Sequence, residues 1–299
     1  MKNIFYTLLL AASALTLASC TADDPDESKS VIVTPNEEQT EFDKWLETNY
    51  TTPYNIDFKY RYKEVESDFD YYTIPAKYED AVMMAHLVKY LCVETYDEVA
   101  GTAFTRRYFP KMFFLIGEWE YRNNGTIILG TAEGGRKILL SGLNHLNSAM
   151  AMGPEAMNQY YFKTIHHEFT HIMNQTKDIP ADFQLVTGTG YVGDMWNEEP
   201  YESEYLKNGF ITDYSQHSYQ EDFAEMLSMY ITNSEDRWNG WLEKAGEVSA
   251  SKISAKLEIV RRYMKENFNI DIDQLRATVQ RRQADIFSNK VDLFDITVK

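Results

Sequence analysis

Apolar positions recur along this chain with two different periods, and the switch between them divides it. Between about residues 40 and 150 short alternating stretches mix with helical ones. Tyr54 to Tyr62 alternates closely enough to predict a strand, while Asp80 to Tyr96 spaces Val82, Ala85, Leu87, Val88 and Leu91 as one face of a helix. Lys111 to Ile116 reads as a buried strand. Thr126 to Gly130 and Arg136 to Leu140 flank Thr131-Ala132-Glu133-Gly134-Gly135, which predicts a hairpin turning on glycine. From about 151 onward the period is helical. Tyr161, Phe162, Ile165, Phe169, Ile172 and Met173 form one apolar stripe, in a segment bounded by Gly153-Pro154 and Pro180. Tyr219, Phe223, Met226 and Tyr230 form a second, and Ile253 to Phe268 and Ile272 to Ile286 are long amphipathic stretches. The pattern predicts an α+β fold with a helical C-terminal portion and no internal repeat.

The first of these helices carries His167-Glu168-Phe169-Thr170-His171, with His167 and His171 facing away from its packing stripe. Histidines four apart lie one turn above each other, so both imidazoles can reach a single Zn²⁺ while the glutamate between them stands beside the open coordination position. A catalytic zinc takes a third protein ligand. The compact solution, Gly then His after the motif, is absent, since Asn174 and Lys177 stand there. A carboxylate from the second helix is the other solution. Glu221 and Glu225 are again four apart, accompanied by Ala224 and Ser228, whose small size permits close helix approach. Either glutamate can be the ligand, the other then accepting the free N–H of a zinc-bound imidazole. Asp222 reads as solvated or as a cap. His217 reads as an incidental loop histidine, and His86 and His145 as structural. The extra His166 has no assigned role.

Gly209-Phe210-Ile211-Thr212-Asp213-Tyr214 followed by Glu221-Asp222-Phe223-Ala224-Glu225, after an H-E-F-x-H helix, resembles the substrate import-associated zinc metallohydrolase lipoproteins of Bacteroidetes. The layout is similar to the gluzincin-like catalytic domain of anthrax lethal factor. The resemblance is specific from Ile165 to Tyr230. It implies a zincin-like metallopeptidase domain over 40–299, with a mixed sheet and an active-site helix, holding one Zn²⁺ on His167, His171 and Glu221. It further implies Glu168 as general base, Tyr214 as the phenol that assists catalysis, and a nutrient importer as neighbour. In peptidases of this design an edge strand above the metal receives the peptide or protein substrate, and one strand of the hairpin is the candidate. Pro180 to Pro200 reads as a flexible cleft wall in which Tyr191 or Trp196 contacts substrate or simply packs. Two other readings use the same residues: a nutrient-binding lipoprotein with a vestigial metal site, and a zinc hydrolase of non-peptide amides or esters.

The N-terminus changes the picture by adding a location. Met1-Lys2-Asn3 is a short basic start, Ile4 to Leu17 is apolar, and Leu17-Ala18-Ser19-Cys20 has the L-x-x-C form of a lipoprotein processing site. This predicts a signal peptide over 1–19, lipidation of Cys20 and an acidic tether over 20–39. The run Asp23-Asp24-Pro25-Asp26-Glu27 resembles the tag that exports such proteins to the outer face of the outer membrane. Once Cys20 is lipidated, Cys92 has no disulfide partner and reads as a buried apolar residue. A net charge of −17 argues against nucleic acid as a partner, because phosphate binding needs basic surface.

Overall fold

Strands β1 (Asp57–Lys59), β2 (Met112–Leu115), β3 (Glu120–Tyr121), β4 (Ile127–Ile128), β5 (Gly130–Glu133) and β6 (Lys137–Leu140) make two sheets. The computed structural model describes residues 38–67 and 70–298, so the lipidation site Cys20 and most of the acidic tether lie outside the described residues. The larger sheet has the order β1-β2-β6-β5, with β1, β2 and β6 parallel and β5 antiparallel at the edge. Strands β3 and β4 pair separately as a short antiparallel ribbon. Helices cover the rest, which gives the mixed α+β architecture expected. No described helix is long and apolar enough to cross a membrane.

Two strand boundaries differ from the expectation for local reasons. The stretch from Tyr54 to Tyr62 contributes only Asp57–Lys59, because Asn55 adopts a left-handed conformation (φ 55°) that ends a preceding helical turn. In the hairpin, Gly134 and Gly135 both take positive φ, at 56° and 67°, and with Arg136 close a three-residue turn. Thr131, Ala132 and Glu133 therefore pair with Leu139, Ile138 and Lys137 instead of forming the loop, and Ile127–Ile128 is left to pair with β3. The Lys111 to Ile116 prediction holds as Met112–Leu115.

Helix α1 (Tyr78–Val88) continues through a π turn at Lys89–Val93 into Glu94–Ala100, extending the predicted helix at both ends. After short helices at Thr102–Tyr108 and Leu146–Met152, a longer helical run begins at Pro154, where Gly153 (φ 99°) and the proline ring fix the start. A π turn at Asn158–Phe162 leads into α2 (Lys163–Thr176). All six residues of its apolar stripe are buried. The span from Pro180 to Pro200 is no bare loop, since α3 (Ala181–Thr187) opens it. Then come α4 (Tyr219–Thr232), α5 (Glu235–Ala245), α6 (Glu247–Phe268) and α7 (Ile272–Phe287). Ser218 caps α4 by accepting from the N–H of Glu221, and Glu221 and Asp222 in its first turn suit the positive end of the helix dipole. Of the second stripe, Phe223, Met226 and Tyr230 are buried, but Tyr219 is half-buried and faces the cleft. Contacts of His171 with Glu221, Lys163 with Glu225, and Asn158 with Asn233 show that the α2 segment and α4 lie antiparallel.

Candidate metal centre

The two helices bring three donor atoms to one point. His167 Nε2 lies 3.0 Å from His171 Nε2 and 3.0 Å from Glu221 Oε2, and His171 Nε2 lies 3.1 Å from the same oxygen. Among the described residues this is the group of His, Cys, Asp or Glu side chains that could hold a metal ion. Ligands about 2.0–2.1 Å from a tetrahedral Zn²⁺ stand about 3.3 Å apart, so the triangle fits that ion with little adjustment. Two imidazole nitrogens and a carboxylate oxygen at such mutual distances cannot all be satisfied by each other's protons. A cation at their centre resolves the conflict, and the donor set of two nitrogens and one oxygen suits zinc.

Glu225 stands behind the triangle. Its Oε1 is 2.7 Å from His167 Nδ1, at an angle oblique for a hydrogen bond, and Lys163 Nζ donates to both of its oxygens at 2.9 and 3.2 Å. Burial opposes a charge on His167, but the Glu221 carboxylate, which accepts from the charged ring, and the negative Glu225 beside it outweigh burial and raise its pKa to about 10. Glu221 is pressed upward by burial and pulled down more strongly by His167 and His171, ending well below the usual carboxylate range. Glu225 behaves likewise: burial is overcome by Lys163 and His167, and its pKa falls to about 2. Glu168 is the exception in this cluster, because burial dominates and raises its pKa. A raised pKa makes the carboxylate a stronger proton acceptor.

A cleft of about 1280 Å³ opens over these residues, with Glu168 and His171 beside Gly130, Thr131 and Ala132 of β5. Of the two hairpin strands considered, β5 is the edge strand, whereas β6 is interior to the sheet. Gly130 is required by close approach. A methyl there would stand 2.9 Å from the Leu139 carbonyl oxygen, 2.9 Å from Thr164 Cγ2 and 3.4 Å from Glu168 Cγ. Tyr214, in a 3₁₀ turn just ahead of α4, lines the cleft with its ring centroid 6.1 Å from that of His167. Burial raises its phenol pKa, the charge on Glu221 adds to this, and the Arg122 guanidinium opposes it. Trp196 packs edge-on to Tyr214 at 5.0 Å and also faces the cleft. Tyr191 instead packs against Phe210 and donates a hydrogen bond to Asp222.

The remaining sequence expectations divide. Asp222 is neither solvated nor a cap: it is 0% exposed, and its Oδ2 lies 2.5 Å from the ammonium of Lys256, itself 0% exposed. The partner comes from α6, far away in sequence. His217 sits 3.3 Å from Asp194 and stacks on Tyr214, outside the donor triangle. His86 stacks on Trp45 and contacts the carbonyl oxygens of Val82 and Asp295, while His145 stacks on Trp119 and pairs with Glu118. His166 is buried beside Cys92 and Tyr96, and burial lowers its pKa to about 3, so it is a neutral core residue. Cys92 is buried, as expected. Sequence reasoning missed Lys163 and Arg122. Lys163 carried a signal, being four residues before His167 and hence on the ligand face of α2; Arg122 carried none.

The family model described as "Putative zinc-binding metallo-peptidase" matches residues 35–273. A solved structure from Bacteroides caccae, titled as that of a putative zinc-binding metallo-peptidase, is 38% identical and superposes with a TM-score of 0.73. The match covers 90% of this chain and 100% of that one. No curated protein matches the chain.

Proposed function

Because the chain belongs to this zinc-binding metallo-peptidase family, we propose that it is a zinc-dependent peptidase, with His167, His171 and Glu221 holding one Zn²⁺. The observation that carries the reading is the donor triangle with Glu168 beside it and an open edge strand along the same cleft. When bound, the ion supplies Lewis acidity that polarises a scissile carbonyl and acidifies a water. Glu168 takes a proton from the attacking water and returns it to the leaving amine nitrogen. The Tyr214 hydroxyl donates to the oxygen that becomes negative as the carbonyl carbon turns tetrahedral. Glu225 keeps the Nδ1 proton of His167 in place, so Nε2 keeps its lone pair toward the site. An extended peptide adds to the outer edge of β5 through main-chain hydrogen bonds.

The proposal extends to location. The L-x-x-C sequence at Cys20 and the acidic run behind it support a lipid anchor in the outer membrane with the peptidase facing outward, in service of nutrient import. External protease should remove the protein from intact cells, and Cys20→Ala should release it from membranes. The test of the chemistry is a peptide library offered to the zinc-loaded protein, the chelated protein and Glu168→Gln. Cleavage is expected in the first alone, with Glu168→Gln still binding zinc and losing at least about 10²-fold in rate. A zinc-loaded protein that cleaves nothing in a broad library overturns the peptidase reading.

A further inference from the structure

Lys163 occupies an unusual place for a helix lysine. Its side chain is 19% exposed, and its ammonium reaches both oxygens of Glu225, whose side chain is 1% exposed. Glu225 therefore carries its charge without water, close to Glu221 and Glu168, in a region rich in carboxylate. A buried carboxylate without a fixed partner is free to turn away from the ring or toward solvent. The contact from Glu225 to His167 Nδ1 is short but oblique, so the imidazole does not by itself fix the carboxylate. The ammonium, gripping both oxygens, does. Since Lys163 and His167 are four apart on α2, one turn of helix sets the cation, and through Glu225 the ring, in a single rigid frame.

We propose that Lys163 is a positioning residue of the metal site, holding Glu225 in the place that orients His167 toward the ion. This rests on the zinc reading of the site. Lys163 acts through Glu225 and His167 and needs no contact with substrate, although it borders the cleft.

The experiment measures the zinc dissociation constant of the metal-stripped full chain by competition with a fluorescent chelator, and the visible spectrum of the Co²⁺-loaded protein. Lys163→Met should weaken zinc binding about 10- to 100-fold, the range for outer partners of a ligand histidine, and shift the cobalt bands. Lys163→Arg, which keeps the charge, should recover most of the affinity. Glu225→Gln should weaken binding comparably, and the double variant should be no worse than Glu225→Gln alone, because the lysine acts through that carboxylate. If Lys163→Met does not fold, Lys163→Gln carries the same comparison with a shorter uncharged side chain.

Wild-type zinc affinity and an unchanged cobalt spectrum in the uncharged variants overturn the proposal, as does a double variant whose losses add. A changed KM with unchanged zinc affinity overturns it too, making Lys163 a substrate contact. These outcomes leave the zinc reading standing. That reading fails separately if the wild-type chain does not bind zinc.

Discussion

Glu221 and Asp222 are consecutive residues of α4, both acidic and both withdrawn from water, and they face opposite kinds of partner. Asp222 meets the Lys256 ammonium and the Tyr191 hydroxyl, while the same ammonium donates to the Gly209 carbonyl and lies 3.9 Å from the Phe210 ring centroid. Charge is balanced there within the chain. Glu221 meets two imidazole nitrogens and, nearby, two more carboxylates, with Lys163 engaged by Glu225. Lone pairs outnumber protons there. A buried acid matched by a built-in cation ties elements together, here α4, α6 and the segment leading to Tyr214. A buried acid among other donors marks a place for an ion from outside.

The comparison is broken most severely on its structural side. Lys256→Met leaves Asp222 buried without its cation and should cost about 3–5 kcal/mol of stability, read as a lower denaturant midpoint. The double variant Lys256→Met/Asp222→Leu should recover part of that loss. Zinc affinity of the folded fraction should stay within a few-fold; a full-stability Lys256→Met would erase the distinction between the two acids. On the other side, Glu221→Ala should lower zinc affinity by more than the roughly 100-fold ceiling for an outer partner, and by more than Glu225→Ala does. The reverse order would make Glu225 the ligand.

Smaller effects sharpen the contrast. Tyr214→Phe, which removes one hydroxyl from the cleft, should lower kcat on the order of 10²-fold with KM little changed, since its hydrogen bond forms only as charge develops. Steady-state kinetics on a single peptide suffice to check it. The last effect is graded with pH, small at each step. His167, with its pKa raised to about 10 in the metal-free site, holds a proton that zinc must displace. Zinc affinity should therefore rise about tenfold per pH unit through the neutral range and level off as pH approaches 10. A pH-independent affinity would mean that the imidazole is already neutral without the ion.

How much of this was legible depended on how far apart the interacting residues are in sequence. His167, Glu168 and His171 announce themselves because helical periodicity puts them on one face, and the Glu221/Glu225 pair does so for the same reason. The edge strand was legible as a hairpin but misplaced, because a Gly-Gly pair can close a tight turn or sit inside a longer loop, and only the pairing with Leu139 and Ile138 decides. Asp222 was misread because a first-turn acid is ordinarily solvated, and nothing near it points to Lys256 on another helix. Arg122, on the β3–β4 ribbon, reaches the cleft through tertiary packing that no local pattern encodes.

At Gly130, backbone meets helix with no room for a methyl between them. The clearance between the strand and Glu168 is thus set on the strand side by bare main chain, which cannot rotate aside as a side chain can, against the Thr164 methyl and the Glu168 Cγ. A peptide registered on β5 would inherit that fixed spacing whatever its sequence. The wall that Tyr219 contributes is a side chain, which can be exchanged without moving that main-chain edge. The fold thereby separates the part of the slot that is fixed by backbone from the part that side chains can reshape.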